Sequence, residues 1–111
     1  MTSPSGIDLW LLPPARLEVL GGEHARGVLA DDEVAHLSRL VRPASRRQFR
    51  ASRTLLRQAL SRYADRAPGE WRFEREPLGR PRIVDAPDGL DFNVAHTQDL
   101  VVVAISRHRR V

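Results

Sequence analysis

The side chains best suited to chemistry in this 111-residue chain are cationic, and they recur at a helical interval. Arg46, Arg50, Arg53 and Arg57 stand at i, i+4, i+7 and i+11, which on a helix places all four within an arc of about 60°. Exposed arginine faces usually interleave glutamates at i+4, and this one has none. A one-sign stripe of this kind suits phosphate or carboxylate, because a guanidinium fork matches both; a solvated face is the ordinary alternative. A second cationic group surrounds a turn: Arg75, then Pro77-Leu78-Gly79-Arg80-Pro81. There, guanidinium forks and turn N–H groups can converge on one anion, although simple solvation of Arg75 and Arg80 explains them as well. Phe92-Asn93-Val94-Ala95-His96 adds an amide and an imidazole, with a ligand-free loop histidine as the plain reading of His96. The only carboxylate near His96 is Asp99, and one carboxylate is a poor Mg²⁺ site unless substrate phosphates provide the rest.

The elements that must position these groups follow from periodicity and punctuation. Residues 7–12, Ile-Asp-Leu-Trp-Leu-Leu, form a short apolar run closed by Pro13-Pro14 and read as a core strand. Asp31-Asp32 can cap a short helix with Val34, Leu37, Leu40 and Val41 at helical spacing, ended by Pro43. Ser45 is a candidate cap for a longer helix over residues 46–64, whose apolar face is Phe49, Leu56, Ala59, Leu60 and Tyr63. Pro68-Gly69 closes it. Trp71 and Phe73 alternate with charged residues as in a half-buried strand, and the turn at Gly79 leads into a strand over residues 80–84. After Pro87-Asp88-Gly89 come strands over residues 90–95 and 100–105. The predicted fold class is α+β, a helix pair packed on a small, mainly antiparallel sheet, in one domain spanning residues 1–111.

Composition narrows the function classes. The 41% apolar content supports one hydrophobic core. All 18 basic residues are arginine; nine fall between Arg39 and Arg66, where Asp65 is the only acid. Such a segment points to a polyanionic partner: nucleic acid, phosphorylated ligand or acidic protein. Nucleic acid is disfavoured, because no familiar binding motif is present. The lack of cysteine excludes a disulfide framework and a thiolate metal site, which fits a cytoplasmic protein. No segment reads as membrane-spanning or as a secretory leader. The strand Leu100-Val101-Val102-Val103-Ala104-Ile105 does not alternate, so it needs cover on both faces; a following segment, a second chain or self-association would supply it.

Five pieces, in order, carry a family resemblance: Asp8-Leu9-Trp10; Arg46-Arg47-Gln48-Phe49-Arg50-Ala51-Ser52-Arg53; Leu55-Leu56-Arg57; Gly79-Arg80-Pro81; and Phe92-Asn93-Val94-Ala95-His96. Across nearly the whole chain they resemble the N-terminal half of a 4′-phosphopantetheinyl transferase of the surfactin-synthetase-activating type. The resemblance implies two similar α+β halves with coenzyme A, the substrate, in the cleft between them. It also implies Mg²⁺ on the pyrophosphate and a serine of an acyl or peptidyl carrier protein attacking the β-phosphate. On the same ground, residues 75–80, with Arg75, Gly79 and Arg80, would contact the adenine nucleotide and its 3′-phosphate. Asn93, Ala95 and His96 would line that site, and His36 falls where relatives often carry a basic phosphate ligand.

Two departures bear on activity. Relatives usually have Ser or Thr where Ala95 stands, so one hydroxyl donor to phosphate is lost. In the family the strand matching residues 100–105 leads into a Gly-x-Asp-x-Glu segment that binds Mg²⁺, with a Trp-x-x-Lys-Glu segment farther on, and the chain reaches Val111 where the first would begin. The expectation is a coenzyme-A-binding half with no catalytic or metal-ligating residue of its own, taking Mg²⁺ only if a second half supplies ligands. The alternative is a pseudoenzyme that binds coenzyme A or a carrier protein without chemistry.

Overall fold

A computed structural model of the chain describes residues 6–13, 16, 29–77, 79–97 and 100–107. Strand β1 is Ile7–Leu12, helix α1 Asp31–Arg39 and helix α2 Pro43–Leu60. Strands β2 (Phe73–Arg75), β3 (Pro81–Ile83), β4 (Leu90–His96) and β5 (Val101–Arg107) follow, with single 3₁₀ turns at Pro68–Glu70 and Pro87–Gly89. All pairing is antiparallel. The expected α+β class of two helices on antiparallel sheet holds, with the strands divided into a three-stranded sheet in the order β1-β5-β4 and a separate β2-β3 hairpin.

Helix boundaries differ from the sequence expectation for stereochemical reasons. The N-cap of α1 is Ala30, not Asp31 or Asp32, and its N–H donates to Glu33 Oε1 at 2.8 Å. Asp31, Asp32 and Glu33 then fill the first turn, where the helix dipole favours negative charge. The helix stops at Leu40, before Pro43, which starts α2 as its first residue rather than ending α1. Proline suits that position because its missing N–H would be unpaired there anyway. Helix α2 ends at Leu60, with Tyr63 and Ala64 in the turn that follows.

Strand β5 lies in the centre of its sheet, so both its edges are hydrogen-bonded and neither is available for strand-to-strand association. One face buries Val101, Val103 and Ile105 completely, in a core shared with Leu56 and Leu60 of α2, Phe92 of β4, and Trp71. Full burial of each such aliphatic side chain stabilises the fold by about 1.5–3 kcal/mol. The other face buries Ser106 at one end, but toward its middle it is more open. Val102 and Ala104 are only half-buried, and their β1 partners Leu11 and Leu9 are 61% and 57% exposed. Among the described residues, the expected cover on both faces is complete on one and partial on the other.

Candidate functional site

The arginine stripe is internal. Arg57 is fully buried; its Nε donates to Glu33 Oε1 at 3.0 Å, its Nη2 to the same oxygen, and its Nη1 to the carbonyls of Pro68 (2.9 Å) and Trp71 (2.7 Å). Arg53 Nη1 reaches the other oxygen, Glu33 Oε2, at 3.1 Å. Arg46 Nη1 donates to Leu37 O at 2.7 Å, which satisfies a carbonyl at the C-terminal end of α1. Most of the stripe therefore clamps α1 onto α2, and the expected open anion-binding face is corrected accordingly. The acid that balances it comes from the neighbouring helix, not from i+4 of the same one.

Above this clamp lies a cavity of about 360 Å³ between α1, α2 and the β2-β3 hairpin. His36 and Arg39 of α1, Phe49 and Arg53 of α2, and Phe73, Arg75 and Pro81 of the hairpin line it, together with Asp32, Glu33, Ala35 and Glu74. The His36 and Phe49 ring centroids are 4.6 Å apart. Glu33 is held by two arginines and Glu74 pairs with Arg82, so much of the negative charge in the wall is already balanced. Cations and two aromatic rings in one concavity can hold a flat ring that carries a phosphate.

Of the seven residues expected at the site, His36 and Arg75 come together in this cavity. Gly79 supports them indirectly, since its carbonyl accepts from Arg75 Nη1 at 2.9 Å. Its φ of +90° turns the β2-β3 connection, a conformation that a side chain disfavours. Arg80 points to β4, where its Nη2 meets the Asp91 carboxylate at 3.2 and 3.3 Å and the Phe92 carbonyl. Asn93 and Ala95 are exposed, and strand alternation puts them on the sheet face opposite buried Phe92. His96 is exposed at the end of β4. The Gln48 side chain of α2 donates to the next carbonyl, Thr97 O, so His96 flanks α2 outside the cavity wall.

Sequence reasoning did not single out Arg39, Phe73 or Glu33 as parts of a site. A signal existed for Glu33, the one acid three residues before His36, but its partners lie 20 and 24 residues away on another helix. Among the described residues no three His, Cys, Asp or Glu side chains gather as a metal site, and Asp99 falls outside those residues. The described residues do not fit Mg²⁺ on their own. No helix among them is long and apolar enough to cross a membrane.

A second polar cluster secures the other end of α2. The Tyr63 hydroxyl donates to Asp8 Oδ2 and accepts from Trp10 Nε1 at 3.3 Å, joining β1 to the turn after the helix. Burial, reinforced by the hydrogen bond to Asp8, raises the Tyr63 hydroxyl above its ordinary pKa of 10.0.

The fold is similar to that of holo-(acyl-carrier-protein) synthase from Bacillus anthracis, solved in complex with CoA (3′,5′-ADP). The TM-score is 0.71 at 15% identity, over 90% of this chain and 92% of that one. A holo-[acyl-carrier-protein] synthase from Neisseria meningitidis gives a TM-score of 0.60 at 14% identity, over 94% and 98% of the two chains. In sequence, the 4′-phosphopantetheinyl transferase HetI of Nostoc sp. is 35% identical over 107 residues, which is 95% of this chain and 45% of HetI. The protein slr0495 of Synechocystis sp. is 31% identical over 100 residues, 89% of this chain and 39% of its own length. The chain thus spans less than half the length of these relatives. Residues 22–108 match the family model described as 4′-phosphopantetheinyl transferase, N-terminal, and with the HetI similarity this shows that the chain belongs to the 4′-phosphopantetheinyl transferase family.

Proposed function

We propose that this chain is the coenzyme-A-holding half of a 4′-phosphopantetheinyl transferase of the surfactin-synthetase-activating type. In the whole enzyme, a serine oxygen of an acyl or peptidyl carrier protein attacks the β-phosphate of coenzyme A, and adenosine 3′,5′-bisphosphate leaves. The observation that carries the reading is the cavity beside the Gly79-Arg80-Pro81 turn, where His36, Arg39 and Arg75 stand with the rings of Phe49 and Phe73. These groups suit the adenine and 3′-phosphate end of coenzyme A. Loss of the pyrophosphate's charge stabilisation would remove most of the catalytic power of phosphoryl chemistry, so this reading needs metal ligands beyond the described residues.

Titration with coenzyme A and dephospho-coenzyme A tests the reading. Arg75→Ala should weaken coenzyme A by about tenfold to a hundredfold and dephospho-coenzyme A much less, since the lost contact is a charge-assisted bond to the 3′-phosphate. Arg80→Ala should weaken both alike, because the Arg80 guanidinium is held by Asp91. A wild-type chain that binds neither ligand contradicts the proposal. Ala95 favours a second reading, a coenzyme-A or carrier-protein binder without chemistry; it predicts ligand binding with no transfer even when a competent second half is present.

A further inference from the structure

The β2-β3 hairpin supplies Phe73, Glu74, Arg75 and Pro81 to the cavity wall, yet no ladder of backbone hydrogen bonds joins it to β4. Its two ends are secured by different means. At the base, Phe73 pairs with Ile83; Ile83 and the preceding Trp71 are buried in the core, and the Phe73 ring meets that of Phe92 edge-on at 5.5 Å. At the tip, Arg75 pairs with Pro81, and neither is buried. The tie there is polar. Arg80, next to Pro81, reaches across to β4, where its Nη2 meets both Asp91 oxygens at 3.2 and 3.3 Å and the Phe92 carbonyl. The two side chains are 21% and 23% exposed, so solvent screens the pair less than it would a fully exposed one. Arg80 is not in the cavity wall, and Asp91 balances its charge.

We propose that Arg80 is a positioning residue for this cavity: through Asp91 it fixes the tip of the hairpin against β4, and so holds Arg75 and Pro81 in the wall without itself touching the ligand. The connection from Arg80 to the wall is continuous. Its carbonyl accepts from Glu76 N–H and the Glu76 carbonyl from Gly79 N–H, each at 2.8 Å, and the Gly79 carbonyl accepts from the Arg75 guanidinium at 2.9 Å. A tip released from β4 therefore takes Arg75 with it. The alternative role for Arg80, a direct contact to a ligand anion, makes Asp91 a competitor for the same guanidinium. The two roles thus give Asp91 opposite signs: as an anchor its loss weakens binding, as a competitor its loss strengthens it. The inference rests on the coenzyme-A reading above and adds to it the residue pair that sets the geometry of the hairpin wall.

The experiment is a double-mutant cycle on the full chain, with coenzyme A titrated by calorimetry and amide hydrogen exchange measured on the same samples. Arg80→Ala and Asp91→Ala should each weaken binding by about threefold to tenfold, and the double variant by no more than the worse single one. Arg80→Lys, which keeps the charge but loses the fork, should recover part of the affinity. Exchange at the Glu76 and Gly79 amides should speed up in both single variants while the Val103 amide in β5 keeps its protection, which separates release of the tip from general unfolding. Unchanged or tighter binding in Asp91→Ala, additive losses in the double variant, or equal loss of protection at Val103 overturns the positioning role and leaves the coenzyme-A reading standing. No binding to the wild-type chain overturns both.

Discussion

Arg57 is a fully buried cation whose tolerance depends on one carboxylate, that of Glu33. Glu33→Gln leaves an oxygen to accept a hydrogen bond but removes the charge that two guanidiniums share. Breaking a buried pair from one side costs about 3–5 kcal/mol, and urea unfolding should show a loss in that range. A loss under about 1 kcal/mol would mean that Arg57 is satisfied by the two carbonyls alone. The arginine spacing was readable in the sequence, including its arc on one helix face. Its meaning was not, because periodicity reports neighbours on the same helix and Glu33 arrives from another. The Tyr63 hydroxyl gives a pH signature at the same scale. Its pKa is raised in the folded state, so its stabilising effect is fully present below about pH 10 and is lost as pH rises through the elevated value. Denaturation midpoints measured from pH 9 to 11 should fall for the wild type and fall less for Tyr63→Phe; equal slopes would remove Tyr63 from the account.

Among the elements, the hairpin of β2 and β3 is the smallest and the most dependent on a single turn. Glu76 N–H donates to Arg80 O and Gly79 N–H to Glu76 O, each at 2.8 Å, and Gly79 closes the turn at φ +90°. No atom crowds the place a Cβ would occupy, so Gly79→Ala strains the backbone without a clash. The expected cost is about 1 kcal/mol or more, with a matching loss of nucleotide affinity, since Gly79 O also orients Arg75. Unfolding and ligand titrations on the same sample would show whether the two effects travel together. The turn was legible from Pro77-Leu78-Gly79, and β4 from its motif and alternation. The split of five strands into two sheets was not, because a three-residue strand such as Phe73–Arg75 carries too little pattern to reveal its partner. Helix boundaries escaped for a related reason: one proline can end α1 or begin α2, and only the packing of the helix pair decides.

At the scale of the molecule, the described residues cover one face of the three-stranded sheet fully and the other only in part. Leu9 and Leu11 stand exposed beside half-buried Val102 and Ala104, and Ala95 extends the strip across β4. The relatives are more than twice as long as the stretch they share with this chain, so a second unit with a sheet of its own is the natural cover under the proposed function. The chain alone should therefore bind coenzyme A but transfer no phosphopantetheine to an apo carrier protein with Mg²⁺. Self-association would cover apolar surface yet bring no new carboxylates, which makes it a poor rescue. A C-terminal half supplied in trans should restore turnover, read as labelled phosphopantetheine on the carrier. Leu11→Glu should then block that rescue, because burying an apolar side chain of this size contributes about 1.5–3 kcal/mol and an unpaired charge reverses the sign. Coenzyme A affinity should stay unchanged in the same variant, since Leu11 lies on the sheet face away from the core and outside the cavity wall. Robust transfer by the purified chain, or rescue undiminished by Leu11→Glu, would place the catalytic groups or the interface elsewhere, with His96 at the end of β4 the first residue to test.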